Sequence, residues 1–510
     1  MSVSLKSVLI SDEVDSKCAE LLRKYKVNVV TKYKLKNDEL IEELKNHDGW
    51  IVRSETKVTD DIIATTSKLR IIGRAGTGVD NIDILAATRK GIIVMNSPGG
   101  NSISACELTC VMISALARHV MKASQSLKDG NWDRKLFAGS ELFGKVLGII
   151  GFGRIGREVA RRMQSYGMKV IVFDPFLTSE QAAEFNVTLH NLDVIWVTAD
   201  FITVHTPLNV QTKNLINSET LKMCKKGIYI INVARGGIVD EKALLESIKA
   251  GHCAGAALDV FTEEPPKNPI ILELIKHPNV IATPHLGAST VEAQIRVGTE
   301  IAEQFLSISG LAAEYPITGI VNAPAIKAAI KPENKPWIEL GIRLGKILSK
   351  LVNAKSHITI ENSIHGLDDI NESFFNIAIQ AGFLLNIYEN VNLVNASVLA
   401  KECNIQINTL LKYSSCNIIS LKAGDHLITG TIRGDRAVLL SINDSIFSSE
   451  VCLPEHTSLY LTHELENLSE ILNTHRLHKV TVNSINLSNK WVLVHTNKPQ
   501  TLPVNGIKYY

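Results

Sequence analysis

The stretch VLGIIGFGRIG, residues 146–156, decides the fold of this chain. An apolar run with the pattern of a buried strand ends in three glycines spaced G-x-G-x-x-G, and a helical pattern follows. In this context the spacing is typical of the turn that holds the pyrophosphate of a dinucleotide at a helix N-terminus. Gly151 permits the tight turn, Gly153 lets the backbone approach the pyrophosphate, and Gly156 lets the helix pack on the strand.

The next apolar run, VIVFD at residues 170–174, ends on an aspartate. A carboxylate at Asp174 can accept hydrogen bonds from both ribose hydroxyls and would repel a 2′-phosphate. The following residues, Pro175 and Phe176, supply no arginine to pair such a phosphate. These residues predict NAD rather than NADP as the cofactor. The alternative is that Asp174 only caps a turn at the strand end.

Short apolar runs alternate with helical segments up to about residue 285, which predicts parallel sheets covered by helices on both faces. The runs form two series, and helical stretches over 103–127 and about 290–309 join them. If the second stretch returns to the first series, two crossovers lie side by side and form a hinge with a cleft. The runs lie at residues 8–11, 27–30, 50–52, 69–73 and 91–96, and then at 146–151, 170–174, 201–205, 228–234, 255–261 and 280–285.

Composition excludes several classes of protein. With 45% hydrophobic and 21% charged residues, the 510-residue chain can bury ordinary globular cores. The net charge of +2 lacks the basic excess of a nucleic-acid binder. None of the eight cysteines forms a CxxC pair, so we expect no metal site and a reducing compartment. The N-terminus has no signal-peptide pattern and no apolar run has membrane-spanning length, so we expect a soluble cytoplasmic protein without membrane or nucleic-acid partners.

Three successive strand ends of the second series carry charged residues. Arg235 ends the run in IINVARGGIVDE (230–241), Asp259 and Glu264 follow the next run, and His285 ends the last. Ligands of such sheets bind at the carboxyl ends of the strands. His285 can act as the base for a hydroxyl proton, Glu264 can orient its ring, and Arg235 can bind a carboxylate through a bidentate pair. Alone, Arg235 could equally end a strand in water and His285 could be structural.

Seven segments together resemble the D-2-hydroxyacid dehydrogenase family, over about residues 5–325. They are GRAGTGVDNID, NSISACELT, GFGRIGREVA, HTPL, NVARGGIVDE, AALDVFTEEPP and PHLGAST. The resemblance is strongest to the long members that act on a phosphorylated glycerate. It implies that Arg235, Glu264 and His285 are the catalytic set. It also implies NAD contacts, several of them through the backbone, at Thr77, Arg154, Ile155, Asp174, Thr206, Val233, Asp259, His285, Gly287 and Ala288.

The phosphate of such a substrate requires cations. In the first series, Arg53 with Ser54, and the segment from Arg74 to Gly76, follow strand-like runs and therefore lie at strand ends. Arg134 lies in GNWDRKLF, a segment that could reach the site from its own or a second subunit. The resemblance implies that the residues at or near the substrate include Arg53, Arg74, Asn101 and Arg134, besides Arg235 and His285.

The predicted fold class is α/β, with two doubly wound parallel-sheet domains and C-terminal α+β modules. A Rossmann NAD domain (99–289) is expected within a flavodoxin-like substrate domain (1–98 and 290–320). An intervening α+β domain (325–455) and an ACT-like module (456–510) follow. The ACT-like module can be a regulatory site, with serine as effector, or an oligomerisation module that binds no ligand.

The function that the resemblance implies is NAD-dependent oxidation of 3-phospho-D-glycerate to 3-phosphohydroxypyruvate, the first step of phosphorylated L-serine biosynthesis. One alternative is another D-2-hydroxyacid dehydrogenase, similar to hydroxypyruvate or glyoxylate reductases. Another is an NAD-sensing protein related to corepressors. The resemblance also implies two-fold association of the nucleotide domains through helix 103–127. The expected assembly is this homodimer, or a homotetramer that also uses the C-terminal modules.

Overall fold

The computed structural model describes residues 4–352, 357–366, 372–414, 416–443, 445–453, 457–462, 479–483 and 490–495. Contacts within the chain divide it into two units. The first unit combines Met1–Asn96 with Ile301–Tyr510, and the second is Ser97–Glu300. The domain boundaries given above stay a prediction, because these units join the first domain with the C-terminal modules and divide the helix near residue 300.

The first unit begins with a five-stranded parallel sheet whose strands are short apolar runs, mostly buried except at the edge strand Asn28–Thr31, where both end residues are exposed. The strand order is β2-β1-β3-β4-β5, which is the flavodoxin-like order. Such strands are apolar throughout because helices cover both faces of the sheet. The elements are β1 (Ser7–Ile10), α1 (Ser16–Lys24), β2 (Asn28–Thr31), α2 (Asn37–Leu44), β3 (Gly49–Val52), α3 (Asp60–Thr65), β4 (Ile71–Arg74), α4 (Ile84–Arg89) and β5 (Ile93–Asn96).

The second unit opens with two helices where the sequence predicts one. Helices α5 (Ser102–Ala117) and α6 (Val120–Lys128) meet at an angle of 66°. His119 adopts a left-handed backbone with φ of 51°, and the carbonyl of Ala117 accepts a hydrogen bond from Ser140 N at 2.8 Å instead of continuing the helix. The break therefore comes from a contact with the following segment, which helical periodicity does not reveal.

A seven-stranded parallel sheet forms the centre of the second unit, in the order β12-β11-β10-β9-β6-β7-β8. Order reverses between β6 and β9, as in a Rossmann sheet. The two-residue strand β8 was not predicted, since it is too short to show a pattern. The elements are β6 (Val146–Ile150), α7 (Arg154–Ser165), β7 (Lys169–Phe173), α8 (Ser179–Ala183), β8 (Thr188–Leu189), α9 (Leu192–Thr198), β9 (Phe201–Val204), α10 (Ser218–Met223), β10 (Ile228–Asn232), α11 (Glu241–Lys249), β11 (Cys253–Leu258), α12 (Pro269–Lys276), β12 (Val280–Ala282) and α13 (Val291–Ile308).

The C-terminal part of the first unit contains a six-stranded mixed sheet in the order β14-β13-β15-β16-β17-β18. Strands β13 and β14 are parallel, and the remaining neighbours are antiparallel. The elements are α14 (Ile326–Ala329), α15 (Lys335–Leu351), β13 (Ile358–His365), α16 (Glu372–Leu384), α17 (Ala396–Glu402), β14 (Ile405–Lys412), β15 (Ile418–Ala423), β16 (His426–Arg433), β17 (Arg436–Ile442) and β18 (Ser445–Cys452).

Three further strands lie in the predicted ACT-like module. They are β19 (Thr457–Thr462), β20 (Lys479–Asn483) and β21 (Lys490–His495), and they form an antiparallel sheet in the order β19-β21-β20. The helix predicted between the first two, and the rest of the module, lie outside the described residues. Among the described residues no single helix has the length and apolar character to cross a membrane; only the bent pair α5 and α6, taken together, does.

Candidate active site

The glycine-rich turn joins β6 to α7, and two of its glycines are sterically required. Gly151 has φ of +94°, and a Cβ atom there would lie 2.6 Å from the carbonyl oxygen of His205. A Cβ atom at Gly156 would lie 2.3 Å from the carbonyl oxygen of Gly151. Real Cβ atoms do not approach backbone this closely, so the turn closes against the first turn of α7 only because both residues are glycine.

Gly153 is the N-cap residue of α7, and a Cβ atom there would meet no atom within 4 Å. Thr206 directly follows His205, whose carbonyl oxygen packs against Gly151. The Oγ1 atom of Thr206 is buried and has no hydrogen-bond partner among the described residues. An open helix N-terminus and a buried hydroxyl without a partner fit a bound dinucleotide. Arg154 is exposed at the first position of α7, whereas Ile155 packs partly against the core.

Asp174 follows β7, and backbone groups hold both of its carboxylate oxygens. Oδ2 accepts a hydrogen bond from Phe152 N at 2.8 Å, and Oδ1 accepts one from Phe176 N at 2.9 Å. The carboxylate is thereby fixed beside the glycine-rich turn. Each carboxylate oxygen can accept more than one hydrogen bond, so Asp174 can still accept from the hydroxyls of a ribose.

Arg235 lies in a turn that a buried asparagine shapes. Asn232, the last residue of β10, is 1% exposed; its Nδ2 donates to Arg235 O at 2.8 Å and its Oδ1 accepts from Ala234 N at 3.0 Å. Val233 is buried, and the guanidinium of Arg235 is partly exposed, with Nη1 donating to Ala234 O at 2.6 Å. The strand therefore delivers the arginine to the surface at its carboxyl end.

Glu264 and His285 form a pair at the ends of neighbouring strands. His285 Nδ1 lies 2.7 Å from Glu264 Oε2, and Glu264 Oε1 accepts from Phe261 N at 3.0 Å. Burial acts to raise the pKa of Glu264, but the hydrogen bonds from His285 and Phe261 N, with the charges of His285 and Arg235, hold it below its ordinary value. The carboxylate therefore stays ionised at neutral pH and can hold the ring of His285 through this hydrogen bond. The side chain of His285 is half exposed. Because Nδ1 is paired with Glu264, Nε2 is the ring nitrogen that can contact a reacting group.

Asp259 is fully buried and holds the segment that carries His285. Its Oδ1 accepts from Leu286 N at 2.8 Å and from the hydroxyl of Thr283, and its Oδ2 accepts from Gly287 N at 2.8 Å. Hydrogen bonds of this kind satisfy a buried carboxylate. The predicted contact between Asp259 and the cofactor stays a prediction. Ala288, also predicted at the cofactor, accepts from Gln294 Nε2 at 2.6 Å.

The predicted phosphate-binding residues of the first unit lie on one sheet edge. Arg53 and exposed Ser54 follow β3, Arg74 ends β4, and Val52 and Arg74 are register partners. Gly76 lies against the guanidinium of Arg74, since a Cβ atom there would be 2.9 Å from Nη1. The carbonyl of Thr77, predicted at the cofactor, accepts from Asn96 Nδ2 at 2.5 Å.

Two other predicted substrate residues lie in the second unit. Asn101 is the N-cap of α5 and is partly exposed. Arg134 begins a short 3₁₀ helix, Arg134–Phe137, and is exposed. Within the described part of the chain, no hydrogen bond or ion pair joins Arg134 to another predicted site residue, so its part in the site stays a prediction.

Sequence reasoning missed residues that shape the site without reaching a ligand. Asn232, Thr283 and Glu241 each hydrogen-bond to a loop that carries a predicted catalytic residue or its neighbour. His205 supports the glycine-rich turn through its carbonyl, and its ring hydrogen-bonds to Thr203 Oγ1 at 3.0 Å. The one available signal was position, since Asn232 and His205 are polar residues at the ends of apolar runs.

Comparisons with known proteins agree with this geometry. Residues 110–287 match the family model of the D-isomer specific 2-hydroxyacid dehydrogenase NAD binding domain, and residues 333–438 match that of the D-3-phosphoglycerate dehydrogenase intervening domain. The D-3-phosphoglycerate dehydrogenase of Homo sapiens is 47% identical over 470 residues, which cover 90% of this chain and 87% of that protein. The enzyme of that name from Bacillus subtilis is 44% identical over 400 residues, covering 78% and 73%.

A solved structure shows the same fold over the first three fifths of the chain. The D-lactate dehydrogenase of Aquifex aeolicus, complexed with NAD and lactic acid, has a TM-score of 0.55 and 27% identity, and the match covers 62% of this chain and 99% of that one. These relatives confirm the resemblance drawn from the sequence motifs and the assignment of NAD as cofactor. The chain belongs to the D-isomer specific 2-hydroxyacid dehydrogenase family and, within it, to the D-3-phosphoglycerate dehydrogenases.

Proposed function

We propose that the chain oxidises 3-phospho-D-glycerate to 3-phosphohydroxypyruvate with NAD, as the first step of phosphorylated L-serine biosynthesis. The observation that carries this proposal is the Glu264–His285 pair, 2.7 Å apart at the strand ends of a nucleotide-binding sheet, with the charge of Arg235 close to it. That arrangement contains the base and the cation that oxidation of a 2-hydroxy acid requires. Curated relatives that match most of the chain carry the name of this enzyme.

Each residue of the proposed catalytic set has a distinct task. His285 takes the proton of the substrate hydroxyl through Nε2, because Nδ1 is held by Glu264. Glu264 fixes the ring and stabilises the imidazolium that forms. Arg235 binds the substrate carboxylate through its planar fork and polarises the carbonyl in the reverse direction. Gly151, Gly153 and Gly156 would hold NAD, which would supply the acceptor for the hydride of the carbinol carbon.

The phosphate of the substrate is assigned to the cationic sheet edge of the first unit. Arg53 and Arg74 supply the positive charge there, with Ser54 and the backbone of Gly76 as hydrogen-bond donors. The buried carboxylate of Asp12 holds the backbone of Arg53 in place, since it accepts a hydrogen bond from Arg53 N at 2.6 Å. Asn101 and Arg134 are proposed as additional substrate contacts on the basis of the family resemblance.

The proposed assembly is a homodimer or homotetramer. Several large apolar side chains on and after helices α5 and α6 are more than half exposed, which is unusual for a surface that stays in water. They include Val111, Met121, Leu127, Trp132, Leu136 and Phe143. We assign this surface to a contact with a second copy of the chain. The eight free cysteines support a reducing compartment, and we propose the cytoplasm.

The test is the initial rate of NADH formation with a panel of acids. The panel contains 3-phospho-D-glycerate, D-glycerate, D-lactate and 2-hydroxyglutarate, with NADP in place of NAD as the cofactor control. The assay is run at alkaline pH with the keto product trapped. Turnover confined mainly to the phosphorylated acid supports the proposal. Equal turnover of D-glycerate or D-lactate would assign the chain to another reaction of the same family.

A pair of variants tests the phosphate site. Arg74 and Arg70 stand at opposite ends of the β4 region, Arg74 at the carboxyl end and Arg70 just before the strand. We expect Arg74→Ala to raise KM for 3-phospho-D-glycerate by about tenfold or more, because it removes a charge-assisted contact. We expect Arg70→Ala to leave KM unchanged. Equal effects of the two changes would remove the phosphate assignment.

A further inference from the structure

A carboxylate outside the proposed catalytic set links the two loops that carry it. Glu241 Oε1 accepts hydrogen bonds from Thr262 N at 2.7 Å and Thr262 Oγ1 at 2.8 Å, and its Oε2 lies 2.7 Å from the same hydroxyl. We call this set of contacts the 241–262 clasp. Both carboxylate oxygens of Glu241 are therefore engaged by a single residue, which is a demanding geometry for an exposed pair.

Each end of the clasp is close in sequence to a proposed catalytic residue. Glu241 is the first residue of α11 and ends the segment that begins with Arg235. Thr262 follows Phe261, whose backbone N donates to Glu264 Oε1 at 3.0 Å. The two loops also touch directly, because a Cβ atom at Gly236 would lie 1.8 Å from the carbonyl oxygen of Phe261. The clasp thus joins the arginine loop to the loop that orients the histidine partner.

The N-terminus of helix α11 is capped by a residue other than Glu241. Asp240 already caps the helix, since its Oδ1 accepts from Ala243 N at 3.0 Å. The other side of the Glu264 loop has a separate anchor, because Glu263 Oε2 accepts from Lys267 N and Asn268 N, each at 3.1 Å. Thr262 itself is exposed. On the arginine side, backbone packing against Gly236 and the hydrogen bonds to Glu241 fix Thr262, and only Glu241 engages its side chain among the described residues.

We infer that Glu241 is a positioning residue, which sets the Glu264–His285 pair relative to Arg235 by holding Thr262. This inference rests on the proposed function, which defines the reaction whose rate is measured. A small displacement of Thr262 moves Phe261 N and with it the carboxylate that orients His285. Since proton transfer depends on the placement of the base, the chemical step loses rate while binding of the substrates is preserved.

The experiment compares four variants with a control on the same helix. We expect Glu241→Ala and Thr262→Val each to lower kcat about tenfold, the effect typical of losing one charge-assisted hydrogen bond, with KM for acid and NAD unchanged. Glu241→Gln and Thr262→Ser keep an acceptor and a hydroxyl, so we expect both to retain most of kcat. Glu246→Ala removes an exposed carboxylate further along α11 and should have no effect.

A double-variant cycle separates positioning from a general structural effect. In a chain that carries Glu264→Ala, no carboxylate remains to be positioned, so adding Glu241→Ala should lower the residual kcat no further. The same tenfold loss in both backgrounds would overturn the inference, as would an unchanged kcat in Glu241→Ala or Thr262→Val. NAD binding, followed by fluorescence titration, should be equal in all variants, and a loss in Glu241→Ala would also overturn it.

The cycle stays informative if the substrate assignment fails. The cycle is run with the acid of the panel that the wild-type chain oxidises fastest. If 3-phospho-D-glycerate is not oxidised, that result contradicts the proposed function, and the role of the 241–262 clasp can still be tested with another acid. Coupling between Glu241 and Glu264 is then measured on the acid that is turned over.

Discussion

His285 combines two unusual properties in one residue. Its backbone has φ of 55°, a left-handed conformation that costs energy for any residue except glycine, and its ring is paired with Glu264. The carboxylate of buried Asp259 stabilises this backbone conformation, because it accepts hydrogen bonds from the backbone N atoms of Leu286 and Gly287. Asp259 also accepts a hydrogen bond from His285 N through its own carbonyl, at 2.9 Å, so this buried residue holds the backbone of the proposed base on both sides.

Arg235 provides the first prediction at this scale. We expect Arg235→Lys to lower kcat/KM by about a hundredfold, because lysine keeps the charge and loses the fork that matches a carboxylate. Steady-state kinetics with varied acid measure the loss. Arg161→Lys, at an exposed position of α7, is the control and should leave kcat/KM unchanged. Wild-type turnover in Arg235→Lys would mean that the arginine only ends a strand.

His205 provides a prediction on pH. Burial of its imidazole lowers the pKa of His205 from 6.5 to about 3, although part of the residue reaches the surface. The ring stays neutral in the folded state and becomes protonated in the unfolded state below pH 6.5. The free energy of unfolding should therefore fall as pH decreases from 6.5 toward 3, by up to ~1.4 kcal/mol per pH unit from this group.

Urea unfolding at pH 7 and pH 5 tests this sign. We expect His205→Gln, which keeps a hydrogen-bonding group beside Thr203, to lose less stability over that interval than the wild-type chain. His190→Gln, at another partly exposed histidine, should follow the wild type. Identical losses in His205→Gln and the wild type would show that His205 does not carry this part of the pH dependence.

At the scale of elements, the turn between β6 and α7 depends on three glycines for three different physical reasons. Gly151 supplies a positive φ, Gly156 supplies space between helix and turn, and Gly153 leaves the helix N-terminus open. One short glycine motif therefore combines three different steric requirements. The break between α5 and α6 has the opposite character, since nothing in the local sequence indicates the hydrogen bond between Ser140 N and Ala117 O that ends α5.

Two alanine variants separate folding from cofactor binding in this turn. We expect Gly156→Ala to lower the unfolding temperature of the second unit, because its Cβ atom would lie 2.3 Å from a backbone oxygen. We expect Gly153→Ala to keep that temperature and to weaken NAD binding, because its Cβ atom extends into open space at the helix N-terminus. Thermal unfolding and NAD titration are measured on both. Equal NAD affinity in Gly153→Ala and the wild type would contradict the assignment of this space.

At the scale of the whole molecule, the first unit unites parts of the chain that are far apart in sequence. Asn392 Nδ2 donates to Gly91 O at 2.9 Å, Asn395 Nδ2 donates to Arg89 O at 3.3 Å, and Arg89 pairs with Glu402 at 2.8 Å. The segment before α17 is thereby held against the end of α4. Asn395 is 1% exposed, whereas Arg89 and Glu402 are about half exposed.

Burial decides which of these contacts contributes more to stability. We expect Asn395→Ala to lower the free energy of unfolding of the first unit by about 2 kcal/mol, because it removes the hydrogen bonds that this buried side chain makes to the backbone of Arg89, Asn390 and Asn392. We expect Arg89→Ala to cost less than about 1 kcal/mol, since exposed ion pairs contribute little. Urea unfolding of the full chain measures both. A larger effect in Arg89→Ala would show that the ion pair holds these parts together.

The amino-acid sequence by itself determined eleven of the twelve strands described for the two parallel sheets, the dinucleotide turn and the strand ends that carry Arg235, Glu264 and His285. Apolar periodicity and glycine spacing are local properties, so they can be read along the chain. Only the tertiary structure decided the strand orders, the break after Ala117, the pairing of His285 with Glu264 and the 241–262 clasp. These features depend on contacts between residues that are distant in sequence, and their free energy appears only when the chain has folded.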